Sequence, residues 1–188
     1  MILILTGTSS SGKSTLSEKL QKSLGDGWLY FSMDSYLSML GPKFLELHLD
    51  NPEICTPNNI CYAQKYSNNT YEIITGELCN KLYGTIPKVL TLLAEQGFHI
   101  IVDSFITTLE EHSFYKEQLK RYGLLFIYLY APKEIISQRE VERGDRLTGS
   151  ALHWLEAFEC ESVFDLSFDT HASPITDIVA TIMDKLSL

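Results

Sequence analysis

Eight consecutive residues near the start of the chain, Gly7-Thr8-Ser9-Ser10-Ser11-Gly12-Lys13-Ser14, have the types and spacing to hold a phosphate. They match G-x-x-x-x-G-K-[ST] in full: the glycines let the backbone turn its N–H groups inward around an anion. A helix starting near Lys13 adds its positive end, the Lys13 ammonium reaches the terminal phosphates, and the Ser14 hydroxyl is offered to Mg²⁺. The residues expected to contact a nucleoside triphosphate are Gly7, Ser9, Ser10, Ser11, Gly12, Lys13, Ser14 and Thr15.

Two aspartates are expected beside this loop. Asp34 directly follows the apolar run Trp28-Leu29-Tyr30-Phe31, and ligands of open α/β sheets gather outside the carboxyl ends of strands. An aspartate there can align a substrate hydroxyl and take its proton. The same residue type also caps helices, so a cap for the turn through Tyr36-Leu37 is the bland alternative. Asp103 closes Ile100-Ile101-Val102 and has the position to share Mg²⁺ with Ser14. How the metal divides between Asp34 and Asp103 stays open.

The chain has only four arginines, Arg121, Arg139, Arg143 and Arg146, and three of them fall within eight residues. Arg139 and Arg143 share a helix face, where like charges repel unless an anion lies between them. With Arg146 just beyond Gly144, the segment 139–149 reads as a lid whose planar guanidinium groups clamp polyphosphate. Arg139 and Arg143 are therefore further candidates for nucleotide contact, and Arg143 and Arg146 for charge neutralisation during transfer. A solvated charged helix is the plainer reading. Histidines 48, 99, 112, 153 and 171 lack metal spacing, and Asn80-Lys81-Leu82-Tyr83 lacks the aspartate of a guanine-reading motif.

Elements must position these groups. Ile2-Leu3-Ile4-Leu5 suits a strand buried on both faces, and Leu16, Leu20 and Leu24 form the seam of the next helix. Strands are expected at Trp28–Phe31, His99–Asp103, Leu124–Leu129 and Phe164–Phe168. Helical patterns lie between and after them: Leu78 to Leu93, split or kinked at Pro87; from the capping box Thr108-Leu109-Glu110-Glu111; from Pro132-Lys133; and from Ser173-Pro174. A hairpin is expected around Asn68-Asn69, within a weakly patterned region, 41–75. Strands alternating with helices predict an α/β sandwich around a parallel sheet of about five strands.

At 188 residues, 45% of them hydrophobic and 21% charged, one domain with a real core is expected across 1–188. A net charge of −9 argues against binding nucleic acid or an anionic membrane. No apolar run is long enough to span a bilayer. The cysteines, Cys55, Cys61, Cys79 and Cys160, show no disulfide or metal pattern and suit reduced thiols in the cytoplasm.

With these residues placed, the chain resembles the chloramphenicol phosphotransferase family. The match includes Gly7 to Ser14, Trp28-Leu29…Phe31…Asp34-Ser35, Gly97…Ile100-Ile101-Val102-Asp103, Arg139-Glu140…Arg143-Gly144-Asp145-Arg146…Gly149, and Phe164-Asp165…Asp169-Thr170. The resemblance implies a three-layer P-loop NTPase fold, adenylate-kinase-like with an arginine lid. It also implies transfer of the γ-phosphoryl group of ATP to a small-molecule hydroxyl. Asp34 would then be the base, and Lys13, Arg143 and Arg146 the phosphate clamp. Residues 41–75 would form the acceptor side, and Thr170 to Pro174 would approach adenine. The chain departs from the family pattern at Ser104, where a second acid is usual, and at Phe158-Glu159, where a histidine is. A nucleoside, nucleotide or nucleotide-sugar kinase, a plain ATPase, and a non-enzymatic nucleotide-sensing module remain as alternatives. Only Lys43 and Lys65 are basic between residues 41 and 75, which favours a neutral acceptor. The oligomeric state is not legible.

Overall fold

The computed structural model describes residues 1–40, 61–65, 70–144, 148–156 and 163–187. Five strands form one parallel sheet: β1 (Ile2–Thr6), β2 (Trp28–Ser32), β5 (His99–Asp103), β6 (Leu124–Tyr130) and β7 (Leu166–Asp169), in the order β2-β5-β1-β6-β7. The expected α/β sandwich is thus present. A separate antiparallel hairpin pairs β3 (Cys61–Lys65) with β4 (Tyr71–Thr75), Cys61 opposite Thr75. The Asn68-Asn69 turn expected to join them lies outside the described residues.

The central strands β1, β5 and β6 are mostly apolar because both faces are covered. Ile2, Ile4, Ile100, Val102 and Phe126 point into one core, while Leu3, Leu5, Ile101, Leu125 and Ile127 point into the other. This is the period of two expected of a pleated strand. Helices α1 (Lys13–Leu24) and α8 (Ile175–Lys185) close the second core with Leu16, Leu20, Ile178 and Ile182. The first is closed by α2 (Met33–Leu37), α3 (Glu77–Tyr83), α4 (Ile86–Glu95) and α5 (Leu109–Leu119). Two further helices, α6 (Lys133–Arg143) and α7 (Ser150–Glu156), pack on one another. Among the described residues no helix is long and apolar enough to cross a membrane.

Local details follow the chemistry of single residues. The pattern from Leu78 to Leu93 is two helices, broken at Gly84-Thr85, with Pro87 in the first turn of α4, where its missing N–H costs nothing. The capping box forms: the Thr108 hydroxyl accepts from Glu111 N at 3.2 Å, and the Glu111 carboxylate accepts from Thr108 N at 3.2 Å. Four strands run one residue past their expected ends, and one starts later than expected. The last strand starts at Leu166, because Phe164 stacks on Tyr128 at 5.2 Å and the Asp165 carboxylate takes the Phe126 N–H at 2.8 Å. Since all five strands of the sheet are parallel, Thr6, Ser32, Asp103, Tyr130 and Asp169 end along one edge.

Candidate active site

The phosphate loop leaves β1 in the middle of that edge and turns directly into α1. Its backbone demands its glycines. Gly7 has φ 142°, and a Cβ there would lie 2.1 Å from the Leu129 carbonyl oxygen. Gly12, the N-cap of α1, is left-handed at φ 98°. Lys13 folds over its own loop, donating to Gly7 O at 2.8 Å and Thr8 O at 2.9 Å. The Ser10 and Ser11 hydroxyls are buried without a hydrogen-bond partner. Buried donors left unsatisfied beside an ammonium suit a loop shaped for an anion. Ser9, Ser10, Gly12, Lys13, Ser14 and Thr15 line a cleft of about 1110 Å³. Gly7 and Ser11 are buried and lie next to each other: Ser11 Oγ is 2.8 Å from a Cβ built on Gly7.

Ser14 and Asp103 meet as expected. The Ser14 hydroxyl donates to Asp103 Oδ2 at 2.7 Å, and Asp103 is 9% exposed. Two hard oxygens this close fit Mg²⁺, which takes most of its ligands from phosphate and water. Tyr30 joins them, its phenol donating to the same carboxylate oxygen at 3.2 Å. Burial, then the Asp103 charge, pushes that phenol up to about 12, so it remains a donor. Sequence reasoning missed Tyr30, since only the pairing of β2 with β5 brings it beside Asp103. Ser104, where the family pattern has an acid, is 2% exposed and points its hydroxyl at the Met33 sulfur 3.9 Å away.

Asp34 is the second residue of α2 and faces the same cleft as Lys13 and Ser14. It is not the cap. Ser32 fills that role, its hydroxyl accepting from Ser35 N at 3.2 Å. Burial, and after it neighbouring charge that includes Asp34, holds the Tyr83 phenol above its ordinary value. Tyr83 lines the same cleft, as do Ile73, Phe105, Phe114 and Trp154. The rings of Phe105 and Trp154 meet edge to face at 5.1 Å. Among the described residues the basic groups lining the cleft are Lys13, Arg139 and Arg143.

Of the arginine segment, residues 139–144 and 148–149 are described. Arg139 is a brace: its guanidinium donates to Ser10 O at 3.2 Å, Thr170 Oγ1 at 3.0 Å and Thr170 O at 3.2 Å. Thr170 in turn donates to Ser11 O at 2.9 Å, so the phosphate loop is clasped to the end of β7. Two carbonyl oxygens and the Thr170 hydroxyl thus accept from Arg139, which also lines the cleft. Arg143 ends α6 and lines the cleft. Arg146 lies outside the described residues. Thr170, Ser173 and Ile175 also line the cleft, at the stretch expected to approach adenine.

The sequence model of the chloramphenicol phosphotransferase-like proteins matches residues 1–187. A Mycobacterium tuberculosis H37Rv protein, provisionally named an O-phosphotransferase, is 23% identical over 177 residues, covering 94% of this chain and 78% of that one. Three solved structures are similar in fold. A sugar kinase from Janibacter sp. has a TM-score of 0.65 at 14% identity, with 99% of this chain and 94% of that chain covered. The APS kinase CysC of M. tuberculosis, in complex with AMPPNP and APS, has 0.63 at 14%, with 100% and 97% covered. Shikimate kinase from Aquifex aeolicus has 0.56 at 18%, with 100% and 96% covered.

Proposed function

Since the chain belongs to the chloramphenicol phosphotransferase-like family of P-loop kinases, we propose that it moves the γ-phosphoryl group of ATP to a hydroxyl of a small, neutral molecule. The observation that carries this is Asp34: a carboxylate relieved of capping by Ser32 and facing the cleft that Lys13 and Ser14 line. Such a group orients the acceptor hydroxyl and takes its proton as the new O–P bond forms and the bond to ADP breaks. Lys13 and the loop amides hold the β- and γ-phosphates. Ser14 and Asp103 would hold Mg²⁺, which supplies charge neutralisation on the transferring phosphates. Arg143, with Arg146, spreads the charge of the in-line transition state.

The acceptor class follows from the rest of the cleft. Away from the phosphate loop its lining combines aromatic and aliphatic side chains with uncharged polar ones and Glu111, while the basic side chains that line it among the described residues belong to the phosphate loop and the arginine helix. Among the described residues, no further cation lines the cleft to meet a second phosphorylated substrate. The net charge of −9 fits a small-molecule partner better than a nucleic acid or membrane. A cytoplasmic setting, with ATP as donor, belongs to the same reading.

The test is ADP release from ATP and Mg²⁺ with a panel of hydroxylated metabolites, nucleosides and antibiotics, chloramphenicol included. Mass spectrometry would look for an acceptor about 80 Da heavier, the mass of one added phosphoryl group. Asp34→Ala is expected to lower kcat by about 10³-fold with ATP affinity within about 3-fold. Equal loss of turnover and ATP affinity would remove Asp34 from the role of base. ADP release at full rate without any acceptor would make the protein an ATPase.

A further inference from the structure

The arginine helix contains a carboxylate that phosphoryl transfer does not use. Glu140 is 1% exposed, although Arg139 and Arg143 of the same helix serve the phosphate loop and the cleft. Its oxygens accept from Gly149 N at 2.7 Å, Ser150 Oγ at 3.1 Å and Ala151 N at 2.9 Å. A carboxylate is withdrawn from water only when strong donors replace the water, and three do so here. The effect is to fix the first turn of α7 against α6.

That turn is also held from two other directions. The Thr8 hydroxyl, inside the phosphate loop, donates to Ala151 O at 2.7 Å. Tyr71 N, at the start of β4, donates to Gly149 O at 3.3 Å. One turn further on, Trp154 leans on Phe105 and lines the cleft. The first turn of α7 therefore joins the phosphate loop, through Thr8, to the packed rings of Trp154 and Phe105, and the carboxylate of Glu140 holds that turn from α6.

We propose that Glu140 is a positioning residue that ties Trp154 and the wall around it to the phosphate loop, so that nucleotide binding sets the seat of the second substrate. The proposal rests on the kinase reading above and deepens it. It requires both anchors of α7, at Thr8 and at Glu140, to act together.

The chain has two tryptophans, which makes the test direct. Trp28 is 7% exposed and packs with the core between α1 and α8, so it reports on the fold alone. The full chain labelled with 5-fluorotryptophan would be followed by ¹⁹F NMR, the two signals assigned through Trp28→Phe. The probe is AMP-PNP with MgCl₂. In the wild type the nucleotide is expected to shift the Trp154 signal and leave Trp28 in place. Glu140→Gln keeps the volume but puts an NH₂ against backbone donors. It is expected to shrink the Trp154 response at least about 5-fold, with AMP-PNP affinity within about 3-fold and Trp28 unmoved. Ser150→Ala, which removes one donor and keeps the carboxylate, is expected to shrink it about 2-fold. A wild-type Trp154 response in both variants would overturn the proposal. So would loss of both tryptophan signals in step with a lowered melting temperature, which would make Glu140 a stabilising residue only. Failure of the wild type to bind AMP-PNP would overturn both this proposal and the kinase reading. Normal binding with an unresponsive Trp154 would overturn this proposal alone.

Discussion

The two walls of the cleft are built by different means. On the donor side, one strand, one loop and one helix, contiguous from Ile2 to Leu24, carry the glycines, Lys13 and Ser14. The side we propose for the acceptor takes Asp34 from α2, Ile73 from β4, Tyr83 from α3, Phe105 from the segment after β5 and Trp154 from α7, all of which line the cleft. A phosphate is the same anion in every nucleotide, so one local backbone solution serves it. An acceptor wall has to match the shape of a particular molecule, and side chains drawn from several elements supply that shape.

The sharpest way to test this contrast is to damage one wall and read the other. Gly7→Ala should have the largest effect: its Cβ would meet the Leu129 carbonyl at 2.1 Å on a backbone with φ 142°. We expect at least about 100-fold weaker binding of a fluorescent ATP analogue, with a lowered melting temperature. Trp154→Ala should do the reverse. For the acceptor that the panel returns, KM should rise about 10-fold while the Kd for the ATP analogue stays within about 2-fold. If both constants rose together, the walls would not be separable. Tyr30→Phe is the mildest. Losing a 3.2 Å hydrogen bond to Asp103 should raise the Mg²⁺ concentration for half-maximal rate about 3-fold. An unchanged Mg²⁺ titration would mean that Ser14 alone orients the carboxylate.

The same division explains what was legible in the sequence. The phosphate loop is read from eight adjacent residues, and its flanking strand and helix from short-range periodicity. Pro87 and the Thr108 capping box were readable because caps and breaks act over three or four residues. Asp34 was found but could not be separated from a helix cap, because the competing hydroxyl of Ser32 stands two residues away and is equally suited. Tyr30 was missed because its partner is 73 residues away in the chain and is met only through strand pairing. Arg139 was read as a candidate nucleotide contact; its hydrogen bonds to Ser10 and Thr170 were not legible, since nothing local reveals that these residues present it with oxygens. Glu140 was hidden between two arginines whose charge suggested an exposed face. Arg146 and most of 41–75 lie outside the described residues, so their expected roles rest on the sequence.

The strand order has a consequence for how the protein is made. β1 lies at the centre of the sheet, and its partners are β5 and β6, so Ile2 pairs with Ile100 and Leu124. At about 5–20 residues per second, a ribosome needs roughly 5–20 s after making β1 to supply β5. For that interval an entirely apolar strand has neither neighbour. The loop that grips phosphate hangs from this strand and can take shape only when residues a hundred positions downstream arrive. Early in synthesis, then, the most recognisable motif of the chain is also its most aggregation-prone neighbourhood, and a holding chaperone would find its clearest target there.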